Sequence, residues 1–195
     1  MAELNRLHER IIEISREHKL PHLGSNLTSV DIIEEIYNIK KPEERFILSC
    51  GHAAVALYVV LEKHGYGNAE TMYLQHGSHP ERCGTCHIDC STGSLGMGIS
   101  IALGMAMADR AENVYCLISD GEATEGAVYE VANLMRKYNV TNLRVWMNYN
   151  GYSAYDVTDK TMIDNLQQIM PSIVIVPTNV EDYGLSGLSA HYIIP

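Results

Sequence analysis

Basic residues are scarce. The 195-residue chain carries 14 Lys and Arg against 24 Asp and Glu, a formal net charge of −10. That argues against nucleic acid as a partner, because neutralising phosphates takes clustered Lys and Arg. Long apolar runs are also missing. No stretch approaches the roughly 20 residues of a membrane span. The N-terminal MAELNRLHERIIEISREHK has no signal-peptide core and reads as an amphipathic helix, with Leu4, Leu7, Ile11 and Ile14 along one face. The expected location is the cytoplasm. Trp and Phe occur once each, beside twelve Tyr. The five cysteines are an odd number, which suits free thiols in a reducing compartment better than a disulfide framework.

What is present is an ordinary globular composition, 46% hydrophobic and 19% charged. No repeat or linker breaks the chain. Helical periodicity predicts helices over 3–17, 29–38, 52–64, 94–110, 122–138 and 159–169. Thr28 or Ser29 is the expected cap of the second. Short apolar runs predict strands over 45–49, 114–118, 143–148 and 172–176. Apolar strands alternating with helices point to an α/β fold, a parallel sheet flanked by helices on both faces. Such sheets bind ligands beyond the carboxyl ends of their strands. Two strands leave in a suggestive way there, one into Ser119-Asp120-Gly121-Glu122 and the other into Tyr149-Asn150-Gly151-Tyr152-Ser153.

Asp120 and Asn150 offer hard oxygen donors of the kind magnesium takes, with the glycine after each permitting close backbone approach. The plainer alternative is a helix cap at Asp120 and a turn at Asn150-Gly151. Ser91-Thr92-Gly93-Ser94-Leu95-Gly96-Met97-Gly98 opens a long helix, whose free N–H groups suit an anion. Close packing of the small-residue helix against the sheet is compatible with that.

Five segments together resemble one family. SDGEATEGAVYEVANLM, with Asn150 thirty residues after Asp120, resembles the thiamine-diphosphate motif written GDG followed by a distant Asn. STGSLGMGISIALGMAMA, RFILSCGHAAVALYVVLEKHG, PHLGSNLTSVDIIEEIY and HGSHPE resemble further stretches of the diphosphate-binding domain of transketolases. The resemblance implies thiamine diphosphate and Mg²⁺ as cofactors. It implies that Asp120, Asn150 and the carbonyl of Tyr152 hold the metal. Gly121 and Glu122 would sit beside the diphosphate, Gly93, Leu95 and Gly96 would line the cofactor, and His52 would contact the diphosphate side. His22 and His79 would face a sugar-phosphate substrate. Histidines suit the proton transfers of such chemistry, being neutral-range acids and bases. The chain departs from the family at Ser119 (usually Gly), Leu23 (usually Pro) and Cys50 (usually Asn).

The resemblance further implies one diphosphate-binding domain over 1–195, shortened at its C-terminal end. The Glu that activates the cofactor's aminopyrimidine belongs to a pyrimidine-binding domain, and nothing here resembles its context. The expected partner is therefore a second polypeptide carrying that domain, as in split transketolases, with homo- or heterodimerisation and a site at the interface. The expected function is two-carbon ketol transfer between sugar phosphates. Alternatives are a subunit of a deoxyxylulose-phosphate-synthase-like or dehydrogenase-type enzyme, or a non-catalytic scaffold. Finally, Cys83-Gly84-Thr85-Cys86-His87-Ile88-Asp89-Cys90 has the form of a c-type haem attachment signature, which the missing signal peptide disfavours. Its other readings are zinc at Cys83, Cys86 and Cys90 with His79 or His87, or free thiols.

Overall fold

The computed structural model describes residues 4–191, so residue 3 of the first expected helix and both ends of the 1–195 domain lie outside the described residues. Four strands, β1 (Arg45–Leu48), β2 (Val114–Ser119), β3 (Leu143–Tyr149) and β4 (Val174–Pro177), form one parallel sheet in chain order. Every carboxyl end therefore points the same way. The helices are α1 (Arg6–His18), α2 (Leu23–Ile39), α3 (Ala54–Lys63), α4 (Ala69–His76), α5 (Met97–Ala108), α6 (Gly126–Lys137) and α7 (Lys160–Ile169).

Strand periodicity divides the core in two. Phe46, Leu48, Tyr115 and Leu117 pack with apolar residues of α1, α2, α3 and α4. Their neighbours Ile47, Cys116, Ile118, Val145 and Met147 pack with α5, α6 and α7. Helices thus cover both faces, which is why the strands read as continuous apolar runs.

Two helices differ from expectation. The helix expected over 29–38 begins at Leu23, after His22 in the left-handed region at φ 65°. Thr28 and Ser29 are not its caps. Thr28 Oγ1 donates back to the Gly24 carbonyl at 2.9 Å, as hydroxyls do inside helices. The segment looked like a helix start because its polar residues serve a tertiary purpose described below. The expected 122–138 helix is preceded by a tight 3-10 turn, Asp120–Thr124, and starts properly at Gly126. Short α4 was not foreseen; Asn68 caps it by accepting from Thr71 N at 2.9 Å.

Gly98 fixes how closely α5 approaches β1. A Cβ there would stand 2.5 Å from Ser49 Cα, so any side chain must push the helix away. Gly104, further along α5, faces open space. Gly98→Ala is expected to cost about 1–3 kcal/mol as overpacking. Gly104→Ala should add about 0.5–1 kcal/mol through helix propensity. Urea unfolding of the two variants measures both; equal effects would mean that the close approach at Ser49 is absent.

Candidate functional site

The mouth of the sheet is built from three strand exits. Ser119 pairs in register with Asn148, so Asp120 and Asn150 do emerge at one edge. A cavity of about 190 Å³ opens there. Of the residues singled out from sequence, His22, His52, His79, Gly93, Leu95, Gly121, Asn150 and Tyr152 line it. Gly96, Asp120 and Glu122 do not; they form its underlying frame.

Asp120 is fully buried. Its Oδ2 accepts from Gly151 N at 2.8 Å and Thr158 Oγ1 at 3.0 Å, and Oδ1 accepts from Gly121 N at 3.1 Å. Asp120 therefore clamps the β3 exit loop to the β2 exit. Within that loop Asn150 Oδ1 accepts from Tyr152 N at 3.0 Å, and the Tyr152 hydroxyl turns outward to Glu181 Oε1 at 3.3 Å. Burial outweighs these hydrogen bonds and pushes the Asp120 carboxyl up to about 6.

Glu122 is equally buried and binds the frame together. Its Oε1 accepts from Ser49 Oγ at 2.5 Å and Gly96 N at 2.9 Å, and its Oε2 accepts from Ser119 N at 2.9 Å. Ser49 follows β1, Gly96 precedes α5 and Ser119 ends β2. Gly96 sits at φ 77°, the left-handed cap that turns the Gly-rich loop into α5. Burial raises the Glu122 carboxyl as well.

The histidines meet at the rim. The rings of His22 and His52 are 5.3 Å apart. Asn26 holds their backbones together, donating to the His22 carbonyl at 2.9 Å and the His52 carbonyl at 3.3 Å while accepting from Ala56 N. Left-handed backbone at a non-glycine residue costs about 1 kcal/mol, and at His22 it aims a cavity-lining side chain. His79 is exposed and lies over Gly93, whose added Cβ would stand 3.5 Å from the ring.

Sequence reasoning missed Asn26, Ser25, Ser29 and Asn148. Asn148 Nδ2 donates to Thr28 Oγ1 at 2.8 Å and Ser29 Oγ at 3.0 Å, and its Oδ1 accepts from Thr178 Oγ1 at 2.5 Å. Ser25, Ser29 and Asn148 reach the cavity wall. For the residues of α2 the signal was the small polar set Ser25, Asn26, Thr28 and Ser29 in its first two turns.

The cysteines part company. Cys90 is buried with the α5–α7 side of the core, whereas Cys83 and Cys86 pack at the opposite side. Among the described residues, the group close enough to share a metal is His76, Cys83 and Cys86, without Cys90, His79 or His87. All five cysteines are free thiols.

Fold and site together define a class: an α/β domain whose strand ends offer buried hard-oxygen donors and a Gly-rich helix start. Residues 35–172 match the family described as transketolase, thiamine diphosphate binding domain, and the chain belongs to that family. Over 181 residues it is 34% identical to one of the subunits of the apulose-4-phosphate transketolase of Phocaeicola vulgatus, covering 83% of this chain and 63% of that protein. It is 32% identical to the 6-deoxy-6-sulfo-D-fructose transketolase subunit SqwG of a Clostridium species, covering 66% of this chain and 54% of that one. The chain thus spans less than two thirds of these relatives. Transketolase structures from Leishmania mexicana and Campylobacter jejuni share the fold at 20% identity, with TM-scores of 0.65 and 0.59; 88% and 90% of this chain align with 35% and 38% of theirs. No helix among the described residues is long and apolar enough to cross a membrane.

Because burial raises the Asp120 carboxyl, its contribution to the stability of the metal-free fold is complete below pH about 4 and lost as pH climbs towards 6. At about 1.4 kcal/mol per pH unit this amounts to about 3 kcal/mol. Urea unfolding in a chelator should show this extra loss in the wild type relative to Asp120→Asn. Parallel stability–pH curves would contradict the burial argument.

Proposed function

We propose that this chain is the thiamine-diphosphate- and Mg²⁺-binding subunit of a transketolase-type transferase, moving two-carbon ketol units between sugar phosphates. One observation carries the reading. Asp120 and Glu122 are two fully buried carboxylates two residues apart, and among the described residues no cation offsets either. Burying an uncompensated charge is expensive, so a frame built this way suits a bound cation.

The donors fit magnesium, which takes hard oxygens and keeps positions for phosphates and water. Asp120, Asn150 and the Tyr152 carbonyl are the proposed ligands. Gly93, Leu95, Gly121 and His52 line the space for the diphosphate. Gly96 and Glu122 act from beneath, setting the position of the Gly-rich loop. When bound, thiamine diphosphate supplies the electron sink that a carbonyl carbon needs to change partners. This chain's own part is to orient, to exclude water and to move protons. His22 and His79 at the rim are the proposed general acid–base groups for substrate hydroxyls, and His52 spans the cofactor and substrate sides.

In this proposal the chain is one diphosphate-binding domain, with the pyrimidine-binding domain and its activating Glu on a partner polypeptide. Two relatives that are themselves described as transketolase subunits support that arrangement. The active site would close at the interface of a heteromer, a pair of heterodimers, with sugar phosphates as substrates and a cytoplasmic setting.

The test is calorimetric titration of thiamine diphosphate into the chain co-expressed with its partner, with and without Mg²⁺. Affinity should depend on Mg²⁺, and Asp120→Asn should weaken it at least about 100-fold. Metal-independent binding, or none with a partner present, would overturn the assignment. In the assembled enzyme His22→Ala should lower kcat about 10²–10⁴-fold while cofactor affinity holds. A matching loss of cofactor affinity would make His22 a binding residue instead.

A further inference from the structure

A second group of metal-ligating side chains stands apart from the diphosphate frame. His76 is the last residue of α4. Cys83 and Cys86 lie on a tight hairpin, closed where Cys83 and Ile88 exchange both backbone hydrogen bonds at 2.9 Å. His87 completes the turn in the left-handed region at φ 56°. This geometry brings both thiols back towards the end of α4. One ligand atom from each of the three residues lies within 4.8 Å of the others, and His76 Nε2 is 3.4 Å from Cys86 Sγ. A tetrahedral zinc with spokes of about 2.0–2.3 Å has ligand–ligand edges of about 3.4–3.8 Å. Closing the triangle therefore takes side-chain adjustment and no movement of the fold.

The Thr85 hydroxyl lies 3.2 Å from Cys83 Sγ and holds that sulfur at the mouth of the turn. We propose that His76, Cys83 and Cys86 bind one zinc ion, with a water molecule in the fourth position.

Two thiolates and an imidazole select zinc over magnesium, so the two metal sites do not compete. Binding takes the proton from each thiol and releases both to solvent. The ion ties α4 to the hairpin and so closes the loop between them. That loop carries His79 to the cavity rim. Beyond the hairpin, Thr92 Oγ1 donates to the Leu48 carbonyl at 2.7 Å and Thr92 N to the Pro80 carbonyl at 3.1 Å. Zinc here is a brace for the cofactor-loop approach, outside the reacting centre.

The experiment is metal analysis of the full chain purified under reducing conditions, followed by replacement with Co²⁺. About one zinc per chain is expected, and the Co²⁺ form should show sulfur-to-cobalt charge transfer and strong tetrahedral d–d bands. His76→Ala, Cys83→Ser and Cys86→Ser should each weaken binding at least about 10-fold. Cys90→Ser, His87→Ala and Asp120→Asn should keep it, the last showing that this site is independent of the magnesium reading. The wild-type cobalt spectrum needs no variant, so a variant that fails to fold leaves the test intact. A metal-free chain with no cobalt–thiolate band, a Cys83–Cys86 disulfide in the reduced preparation, or unchanged affinity in His76→Ala would each overturn the proposal.

Discussion

The mouth of this sheet depends on one buried carboxylate. Glu122 collects hydrogen bonds from the end of β1, the end of β2 and the start of α5, three pieces of chain far apart in sequence. Parallel strands offer no hairpin to hold their exits together. Something else must set their mutual position, and a carboxylate, which can accept through both of its oxygens, suits the purpose. Ser49 shows how finely this is set. It donates to Glu122, accepts from Ile99 N at 3.2 Å, and packs where Gly98 leaves no room for a Cβ. Gly98 is thus the steric condition for the hydrogen bonds beneath the Gly-rich loop.

A second, neutral network does the same on the α1–α4 side. Asn148 reaches from β3 to the hydroxyls of Thr28 and Ser29, and Asn26 ties the His22 and His52 backbones. Amides buried in this way must be satisfied, because leaving one donor unpaired costs about 1–3 kcal/mol. The cost makes these contacts specific. The first turn of α2 has one place to sit, and that place aims His22 at the cavity. The two networks meet across β3, whose Asn148 belongs to the neutral one and whose following loop is clamped by Asp120.

How much of this was legible in the sequence follows from the range of the forces involved. The strands were legible as unbroken apolar runs, which burial on both faces explains for VYCLI, whereas SIVIV closes the sheet as a half-exposed edge strand. The parallel α/β arrangement followed from their alternation with helices. Asp120 and Asn150 were legible as a pair through the glycines that follow them. The start of α2 was misread because Thr28 and Ser29 are locally good caps; a partner 120 residues away in sequence overrides that preference, and nothing local announces it. The burial of Glu122 and its bonds to three strand and helix ends were not legible, because spacing does not encode burial. The cysteine cluster was misgrouped for a related reason. Cys90 follows Cys86 closely in sequence, yet the chain crosses to the other side of the sheet between them, while His76 returns to the hairpin from a helix that periodicity did not reveal.

If the proposed cation binds at Asp120, the two carboxylates make folding and loading one equilibrium. Asp120 and Glu122 are each raised by burial, and each is held by N–H or O–H donors that favour its charged form without supplying a positive charge. The metal-free frame is therefore a compromise between desolvation and hydrogen bonding. A cation at Asp120 removes the larger cost, because it interacts with the ionised form alone. Whatever binds the folded frame and not the unfolded chain stabilises the fold by mass action. On this view the cost of carrying uncompensated charge at the sheet's mouth is a source of affinity for a cation. A neutral frame of the same shape would be more stable empty and would gain less from the ion.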